Sequence, residues 1–125
     1  MATALVIEDD DDIRRLLEVV LGQAGYRVSA AANGADGLEA LEAQSPDLLL
    51  VDVGLSDIEG YEVVRRARPQ VGGHIVMLSA RPEESDARLG LEAGADEYLT
   101  KPFRPRRLRE QLAEIIERPV TSGER

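Results

Sequence analysis

The sequence predicts an α/β fold in which a parallel sheet is covered by helices on both faces. Two observations lead to this prediction. Five short apolar segments alternate along the chain with five segments of helical periodicity, and this alternation is typical of βα units that build a parallel sheet. In addition, the segment Leu48–Val51 is apolar at every position, as expected for a strand that is covered on both faces.

Each element is predicted from a local pattern. The strands are expected at Ala4–Ile7, Val28–Ala32, Leu48–Val51, Ile75–Leu78 and Tyr98–Leu99. The helices are expected near Asp12–Ala24, Ala35–Gln44, Gly60–Arg68, Glu83–Ala93 and Pro105–Glu117. The first helix has the clearest apolar stripe, formed by Ile13, Leu16, Leu17, Val20, Leu21 and Ala24 at helical spacing. Gly25 is a suitable residue to end this helix.

Composition narrows the class of protein. The chain has 125 residues, 43% of them hydrophobic, which suits one domain with a real core. Its net charge of −9 argues against direct binding to nucleic acid or to anionic membranes. There is no cysteine, so disulfides and thiolate sites are excluded. The sequence has neither a long apolar span nor a secretory signal pattern, and we expect a cytoplasmic protein.

Polar side chains stand where four of the predicted strands end. Glu8 and Asp9 follow the first strand and Asp52 follows the third; Ser79 follows the fourth and Lys101 the fifth. In a parallel sheet these ends point to the same edge, and function in such folds is found beyond the carboxyl ends of the strands. The sequence therefore predicts one site that contains carboxylates, a hydroxyl and an ammonium group.

A cation site accounts for the acidic residues at this edge. Carboxylates a few ångströms apart repel each other by roughly 4 kcal/mol per pair near a protein surface, and either a proton or a cation relieves that repulsion. Oxygen ligands with open water positions suit Mg²⁺, which is held by one or two carboxylates and a phosphate. The formal charge of Glu8, Asp9 and Asp52 is −3, and Mg²⁺ with Lys101 would supply +3.

The acidic run continues beyond the predicted metal ligands. Asp10 or Asp11 is placed to cap the first helix, and acids in its first turn favour the helix dipole. Glu8 and Asp9 come too early in the chain for that role. We therefore assign the metal to the first two acids of the run and capping and solvation to the later ones.

These residues and their order resemble the receiver domain of two-component response regulators over about residues 3–118. The matching segments are LVIEDDDDIRRLL, PDLLLVDVGLSDIEGYEVVRRAR, HIVMLSAR and GLEAGADEYLTKPF. The resemblance implies a doubly wound, flavodoxin-like fold with a five-stranded parallel sheet of order 2-1-3-4-5 and five helices. It also implies a receiver domain at residues 1–118, followed by a polar tail or the start of a linker at residues 119–125.

The resemblance implies a role for each residue of the site. Asp52 would be the phosphoacceptor, Asp9 would bind Mg²⁺ directly, and Glu8 would bind it directly or through water. The backbone carbonyl of Gly54 would be a further ligand of the metal. Ser79 would donate its hydroxyl to a phosphoryl oxygen.

Further roles follow from the same resemblance. Lys101 would contact both Asp52 and the phosphoryl group, and the Lys101–Pro102 bond would be cis. Tyr98 would be the aromatic switch that turns inward when Ser79 moves toward the phosphate. Ser56 stands where the family usually has proline, so we expect a more mobile loop after Asp52.

The implied function is signalling rather than catalysis on an external substrate. A sensor histidine kinase or a phosphotransfer protein would donate the phosphoryl group to Asp52. The C-terminal part of the chain looks most like receivers that are attached to winged-helix DNA-binding domains. Such receivers pair through the fourth helix, fifth strand and fifth helix, and we expect at most a weak, phosphorylation-linked homodimer.

A dimer of this kind would depend on complementary acidic and basic residues, and this chain has the acidic set but lacks several of the basic ones. Its acidic half would comprise Glu92, Asp96 and Glu97. The family usually carries arginines along the last helix at positions where this chain has Gln111, Ala113 and Glu117.

Other interpretations explain the sequence less well. An EF-hand calcium loop is rejected because Ile13 stands where glycine is required. A magnesium phosphatase of the haloacid dehalogenase type would need an acid at the position of Gly54. A non-phosphorylated receiver-like interaction module remains the alternative, although such modules often lose an acid, the hydroxyl or the lysine.

Three other sets of residues receive structural or accessory roles. His74, the only histidine, is expected to be structural because it starts the fourth strand, away from the site. The arginines of the last helix are expected on a solvated face, with ion pairs Arg106–Glu110 and Glu114–Arg118. Arg81 is expected to lie across the site and slow hydrolysis of the phosphoryl group.

Overall fold

The computed structural model describes residues 2–80 and 84–120, so Arg81 and the last five residues of the tail lie outside the described part. Within the described residues, five strands and five helices alternate. The strands are β1 (Thr3–Ile7), β2 (Arg27–Ala31), β3 (Leu48–Asp52), β4 (His74–Ser79) and β5 (Glu97–Thr100). The helices are α1 (Asp11–Gln23), α2 (Gly34–Ala43), α3 (Gly60–Ala67), α4 (Glu84–Ala93) and α5 (Pro105–Glu117).

The five strands form one parallel sheet of order β2-β1-β3-β4-β5. The predicted fold class and strand order are therefore confirmed. The register aligns the carboxyl ends of the strands, because Ile7 lies opposite Val51, Asp52 opposite Leu78 and Ser79 opposite Thr100. This alignment brings the polar residues that follow the strands to one edge of the sheet.

Each face of the sheet has its own hydrophobic core. Alternate residues of the central strands point to opposite faces, so Leu49 and Val51 pack in one core while Leu48 and Leu50 pack in the other. Residues of α2 and α3 contribute to the first core, and residues of α1 and α5 contribute to the second. The uninterrupted apolar pattern of β3 is thereby explained, since every residue of this strand is buried.

The helix boundaries follow from capping. Asp10 caps α1 by accepting the backbone N–H groups of Asp12 and Ile13 at 2.9 and 3.0 Å, so the helix begins one residue earlier than predicted. Gly25 has a φ of 100° and follows the C-terminal end of α1, as expected. The third helix ends at Ala67, and a 3₁₀ turn at Arg68–Gln70 follows it.

His74 has the structural role that its position predicts. Its Nε2 atom lies 2.7 Å from the carbonyl oxygen of Arg118, so the start of β4 is joined to the end of α5. The predicted ion pairs of the last helix are wrong, because Arg107 pairs with Glu110 and Arg118 pairs with Glu97 instead. Among the described residues, no helix has the length and apolar character needed to cross a membrane.

Candidate functional site

The first part of the site is the turn from β1 to α1. The Glu8 side chain is fully buried, and its Oε2 atom accepts the backbone N–H of Asp10 at 3.1 Å. Asp9 is exposed beside it. The Arg14 guanidinium donates to the carbonyl oxygen of Glu8 at 3.0 Å and pairs with Asp11 at 2.6 Å. The hydrogen bond from Arg14 to the Glu8 carbonyl holds the backbone that presents both acids, and it was not predicted from the sequence.

The second part is the end of β3, where Asp52 is 5% exposed. Its Oδ1 atom accepts the backbone N–H of Gly54 at 3.3 Å. The N–H of Val53 donates to the carbonyl oxygen of Leu78 at 2.9 Å, which keeps the chain on the sheet for one residue beyond the strand. Asp52 is therefore held in a buried position at the carboxyl end of β3, and the loop that follows leaves the sheet after Val53.

Lys101 joins the two acidic parts. Its Nζ atom lies 3.0 Å from Oε1 of Glu8 and 3.2 Å from Oδ1 of Asp52. Its backbone N–H donates to the carbonyl oxygen of Ser79 at 2.7 Å, and the Lys101–Pro102 bond is cis, as the resemblance implied. One ammonium group thus bridges two buried carboxylates.

The residues surround an open cleft of about 440 Å³. Ser79 is 6% exposed at the end of β4 and contributes to the wall of this cleft. The lining residues are Glu8, Asp9, Asp10, Asp52, Val53, Gly54, Ser79, Ala80 and Lys101. The structure therefore brings together every predicted residue of the site except Tyr98.

Electrostatics at the site depend on burial. Burial raises the pKa of Glu8 to about 7, although the Asp10 N–H and Lys101 both act to lower it. Burial alone would lower the pKa of Lys101. The contacts of the Lys101 ammonium with Glu8 and Asp52 outweigh burial and raise this pKa. Lys101 therefore stays charged at neutral pH, while Glu8 is close to its midpoint of titration.

The donor set fits a hard divalent cation. Glu8, Asp9 and Asp52 each offer a carboxylate oxygen, and these three atoms lie within 4.8 Å of one another. Two of the three acids are buried and one is exposed, so the group is open to solvent on one side. Oxygen ligands with open positions are the arrangement that Mg²⁺ favours.

Tyr98 lies on β5, outside the lining of the cleft. Its hydroxyl oxygen is buried and has no hydrogen-bond partner among the described residues. A Cβ atom at Gly90 would lie 3.5 Å from two atoms of the ring, so the ring packs beneath α4. The hydroxyl therefore lies inside the protein in this structure, and the switch role that the resemblance implies for Tyr98 stays a prediction.

Asp96 does not have the place expected for it, which was in the exposed acidic half of a dimer face formed by α4, β5 and α5. Its side chain is only 5% exposed and pairs with the buried Arg68 at 3.1 Å. Its carboxylate also accepts the N–H of Ile75 at 2.7 Å. Asp96 is therefore not part of an exposed acidic surface. Glu97 pairs with Arg118 of the same chain.

Comparison with known proteins identifies the family. A family model described as the response regulator receiver domain matches residues 4–113. The chain belongs to this family. It is thus a receiver domain of two-component response regulators, a signalling family, and the resemblance seen in the sequence is confirmed.

Similar proteins agree with this assignment. AfsQ1, a transcriptional regulatory protein of Streptomyces coelicolor, is 45% identical over 94% of this chain and 52% of its own length. PhoP, the alkaline phosphatase synthesis transcriptional regulatory protein of Bacillus subtilis, is 42% identical over 91% of this chain and 48% of its own length. The receiver domain therefore spans about half the length of these curated relatives.

A solved structure supports the fold of the receiver. The crystal structure of a CheY-like response regulator receiver domain protein from Methanospirillum hungatei matches with a TM-score of 0.85 at 32% identity. The match covers 94% of each chain. The sheet and helices described above are therefore those of a receiver domain.

Proposed function

We propose that this receiver takes a phosphoryl group onto Asp52 from the phosphohistidine of a sensor histidine kinase or phosphotransfer protein. The observation that carries this proposal is the position of Asp52. Its carboxylate is buried at the end of β3, lies 3.2 Å from the Lys101 ammonium and faces an open cleft. A nucleophilic carboxylate needs both access to the phosphorus and a neighbouring cation, and Asp52 has both.

In the proposed reaction, a carboxylate oxygen of Asp52 attacks the phosphorus in line with the P–N bond. The new P–O bond forms an aspartyl phosphate, and the electron pair of the broken P–N bond returns to the histidine ring. The ammonium of Lys101 lies 3.2 Å from Oδ1 of Asp52 and would neutralise charge on the phosphoryl oxygens. The hydroxyl of Ser79 would donate to one of these oxygens.

Mg²⁺ is the proposed cofactor, with Glu8, Asp9, Asp52 and the carbonyl of Gly54 as its ligands. When bound, it would supply the remaining positive charge at the phosphoryl oxygens. The protein's own part is to hold the acids in place, through the Asp10 N–H bonded to Glu8 and the Gly54 N–H bonded to Asp52.

The consequence of phosphorylation would be a change at the face formed by α4, β5 and α5. Ser79 and Tyr98 are the proposed switch residues, and they lie on the neighbouring strands β4 and β5. The receiver would assist its own phosphorylation and dephosphorylation without acting on an external substrate. We also propose residues 1–118 as the receiver domain and residues 119–125 as a polar tail or the start of a linker.

Acetyl phosphate with Mg²⁺ tests the proposed function without a partner kinase. Intact-mass measurement should find one added phosphoryl group in the wild-type protein and in Asp12→Asn, a control at an exposed acid. Asp52→Asn should not be labelled. Labelling of Asp52→Asn at the wild-type rate would refute the assignment, and no gain of mass in the wild type would favour the non-phosphorylated interaction module.

Thermal unfolding tests the metal separately. Mg²⁺ binds the native site and should raise the melting temperature of the wild-type protein. Asp9→Ala should respond much less, because it removes the exposed ligand without disturbing the buried acids. An equal response in the two proteins would exclude the proposed ligand set.

A further inference from the structure

The loop between β3 and α3 is joined to another helix by one carboxylate. Asp57 accepts the backbone N–H of Gly34 through Oδ1 and the N–H of Ala35 through Oδ2, both at 2.9 Å. Its Oδ1 atom also accepts the N–H of Ile58 at 2.8 Å. Gly34 and Ala35 are the first two residues of α2. Their N–H groups have no acceptor within the helix, so Asp57 completes this helix end from a distant part of the chain.

The loop between β3 and α3 is packed closely against α2 where Asp57 binds the first turn of this helix. A Cβ atom at Gly34 would lie 3.0 Å from Cβ of Ile58 and 3.2 Å from Oδ1 of Asp57, so the loop backbone is packed closely against α2. The helix is itself fixed to the sheet, because a Cβ atom at Gly37 would lie 2.3 Å from Cδ1 of Ile7. The loop is therefore anchored through α2 to β1.

This loop carries part of the phosphorylation site. Val53 and Gly54 line the cleft, and Asp57 follows Gly54 by three residues. Ser56 lies between them, and serine does not fix φ as a proline would. The hydrogen bonds of Asp57 lie next to that position and restrain the segment by tertiary contact instead.

We propose that Asp57 is a positioning residue for the phosphorylation site: by binding the first turn of α2 it fixes the loop that carries the Gly54 carbonyl, and so strengthens Mg²⁺ binding. This inference rests on the proposed function. Groups that orient a metal ligand without touching the metal typically affect affinity by tenfold or more. The expected effect of Asp57 is on the binding of Mg²⁺ rather than on the chemical step, because the ammonium of Lys101, which is not part of the loop, contacts both Asp52 and Glu8.

The chain offers matched controls for this experiment. Asn33 caps the same end of α2 by accepting the N–H of Asp36 at 2.8 Å, but it is not part of the loop. Asn33→Ala therefore weakens the same helix end without releasing the loop. Asp36→Asn removes the same charge from the first turn of α2, which controls for electrostatic effects on the cation.

Mg²⁺ titration by calorimetry and acetyl phosphate labelling at saturating Mg²⁺ give the two readouts. We expect Asp57→Ala to weaken the Kd for Mg²⁺ by about tenfold, while its labelling rate at saturating Mg²⁺ stays within about twofold of wild type. Asp57→Asn retains an acceptor oxygen and should show a smaller loss; it also replaces the alanine variant if that protein does not fold. Both control variants should keep the wild-type Kd.

Hydrogen exchange gives a readout that loss of helix stability alone would not reproduce. Because coupling between two sites is reciprocal, Mg²⁺ should slow exchange of the Gly34 and Ala35 amides in the wild type more than in Asp57→Asn. An unchanged Kd in Asp57→Ala, or an equal loss of affinity in Asn33→Ala, would overturn the role of Asp57. A wild-type protein that binds no Mg²⁺ and gains no phosphoryl group would instead refute the proposed function.

Discussion

At the scale of single residues, Glu8 is the group whose ionisation is most affected by its position. Its side chain is fully buried, and burial raises its pKa to about 7 from an ordinary value of 4.5. Lys101 lies 3.0 Å away and reduces the cost of the charge. A raised pKa means that folding favours the protonated form of Glu8 when no metal is present.

The pH dependence of stability follows from this shift. Between pH 4.5 and about 7 the native state binds the Glu8 proton more strongly than the unfolded state does, so the unfolding free energy should fall as pH rises. The contribution of Glu8 is roughly 3 kcal/mol at most. Denaturant unfolding in metal-free buffer at several pH values measures this slope.

Glu8→Gln is the control for this prediction, because it keeps the shape of the side chain and removes its titration. The fall in unfolding free energy across this range should be smaller in the variant than in the wild type. Asp57 and Glu62 have lowered pKa values, which arise mainly from hydrogen bonds to the Ala35 N–H and to Arg66 respectively. The effects of Asp57 and Glu62 on stability therefore fall below this pH range. An equal slope of unfolding free energy against pH in the wild type and in Glu8→Gln would contradict the assignment to Glu8.

At the scale of elements, the start of α3 lies directly against the backbone of Asp52, the proposed phosphoacceptor. A Cβ atom at Gly60 would come within 2.4 Å of the Asp52 carbonyl oxygen and 2.8 Å of the Val53 Cα. Both neighbours are backbone atoms, so the strain could be relieved only by moving the helix or the end of β3. The glycine at the first position of α3 therefore allows the helix to begin where it does.

Gly60→Ala should destabilise the receiver by about 1–3 kcal/mol, the usual cost of overpacking, and should slow labelling of Asp52 by acetyl phosphate. Gly22→Ala is the matched control, because no atom lies within 4 Å of a Cβ at this position in α1. That variant should gain up to about 1 kcal/mol from helix propensity. Chemical denaturation compares the two, and a Gly60→Ala protein as stable and as reactive as wild type would contradict the packing argument.

Arg68 connects the end of α3 to the segment between α4 and β5. Its guanidinium donates to the carbonyl oxygens of Val71, Gly73 and Gly94 and to the carboxylate of Asp96. The side chains of Arg68 and Asp96 are 9% and 5% exposed. This pair therefore fixes the C-terminal end of α4 against the body of the domain.

Arg68→Ala should lower the unfolding free energy by about 3–5 kcal/mol, because it leaves the Asp96 carboxylate buried without its cation. Arg65→Ala provides the comparison, since Arg65 is 63% exposed and pairs with Glu62 on the surface. Its loss should cost about 0–1 kcal/mol. Equal effects in urea denaturation would show that the buried pair contributes no more than the surface pair.

At the scale of the whole molecule, the charges on the α4, β5 and α5 face determine self-association. Symmetric pairing requires each charge to meet its complement on the second copy. Asp96 is buried with Arg68, and Glu97 already pairs with Arg118 in the same chain. Glu92 remains exposed on α4. Intramolecular pairing thus leaves fewer acids for a partner than the sequence indicated.

We therefore predict a monomer without phosphate and at most a partial dimer with beryllofluoride as phosphoryl mimic. Exposed ion pairs contribute only about 0–1 kcal/mol each, so the few that remain should give weak association. Sedimentation velocity with and without the mimic measures this directly. A tight dimer of the unmodified protein would show that apolar contacts dominate, with Leu89 and Leu91 as the exposed residues to test first.

The sequence by itself determined the fold class and the composition of the site. Local periodicity identified each strand and helix to within one or two residues, because burial on one or both faces imposes a repeat on neighbouring positions. It also led to Glu8, Asp9, Asp52, Ser79 and Lys101, since parallel strands bring their carboxyl ends to a single edge. The cluster in the structure contains all five.

Only the tertiary structure decided which polar groups pair with each other. Arg68 and Asp96 are 28 residues apart in the chain, Glu97 and Arg118 are 21 apart, and Asp57 and Gly34 are 23 apart. Local spacing favoured i,i+4 pairs on α5, and the family resemblance implied an exposed acidic surface that included Asp96; both predictions were wrong. Such pairings depend on how separate elements pack and on which side chains lose water, and neither quantity is encoded in the pattern of one helix or strand.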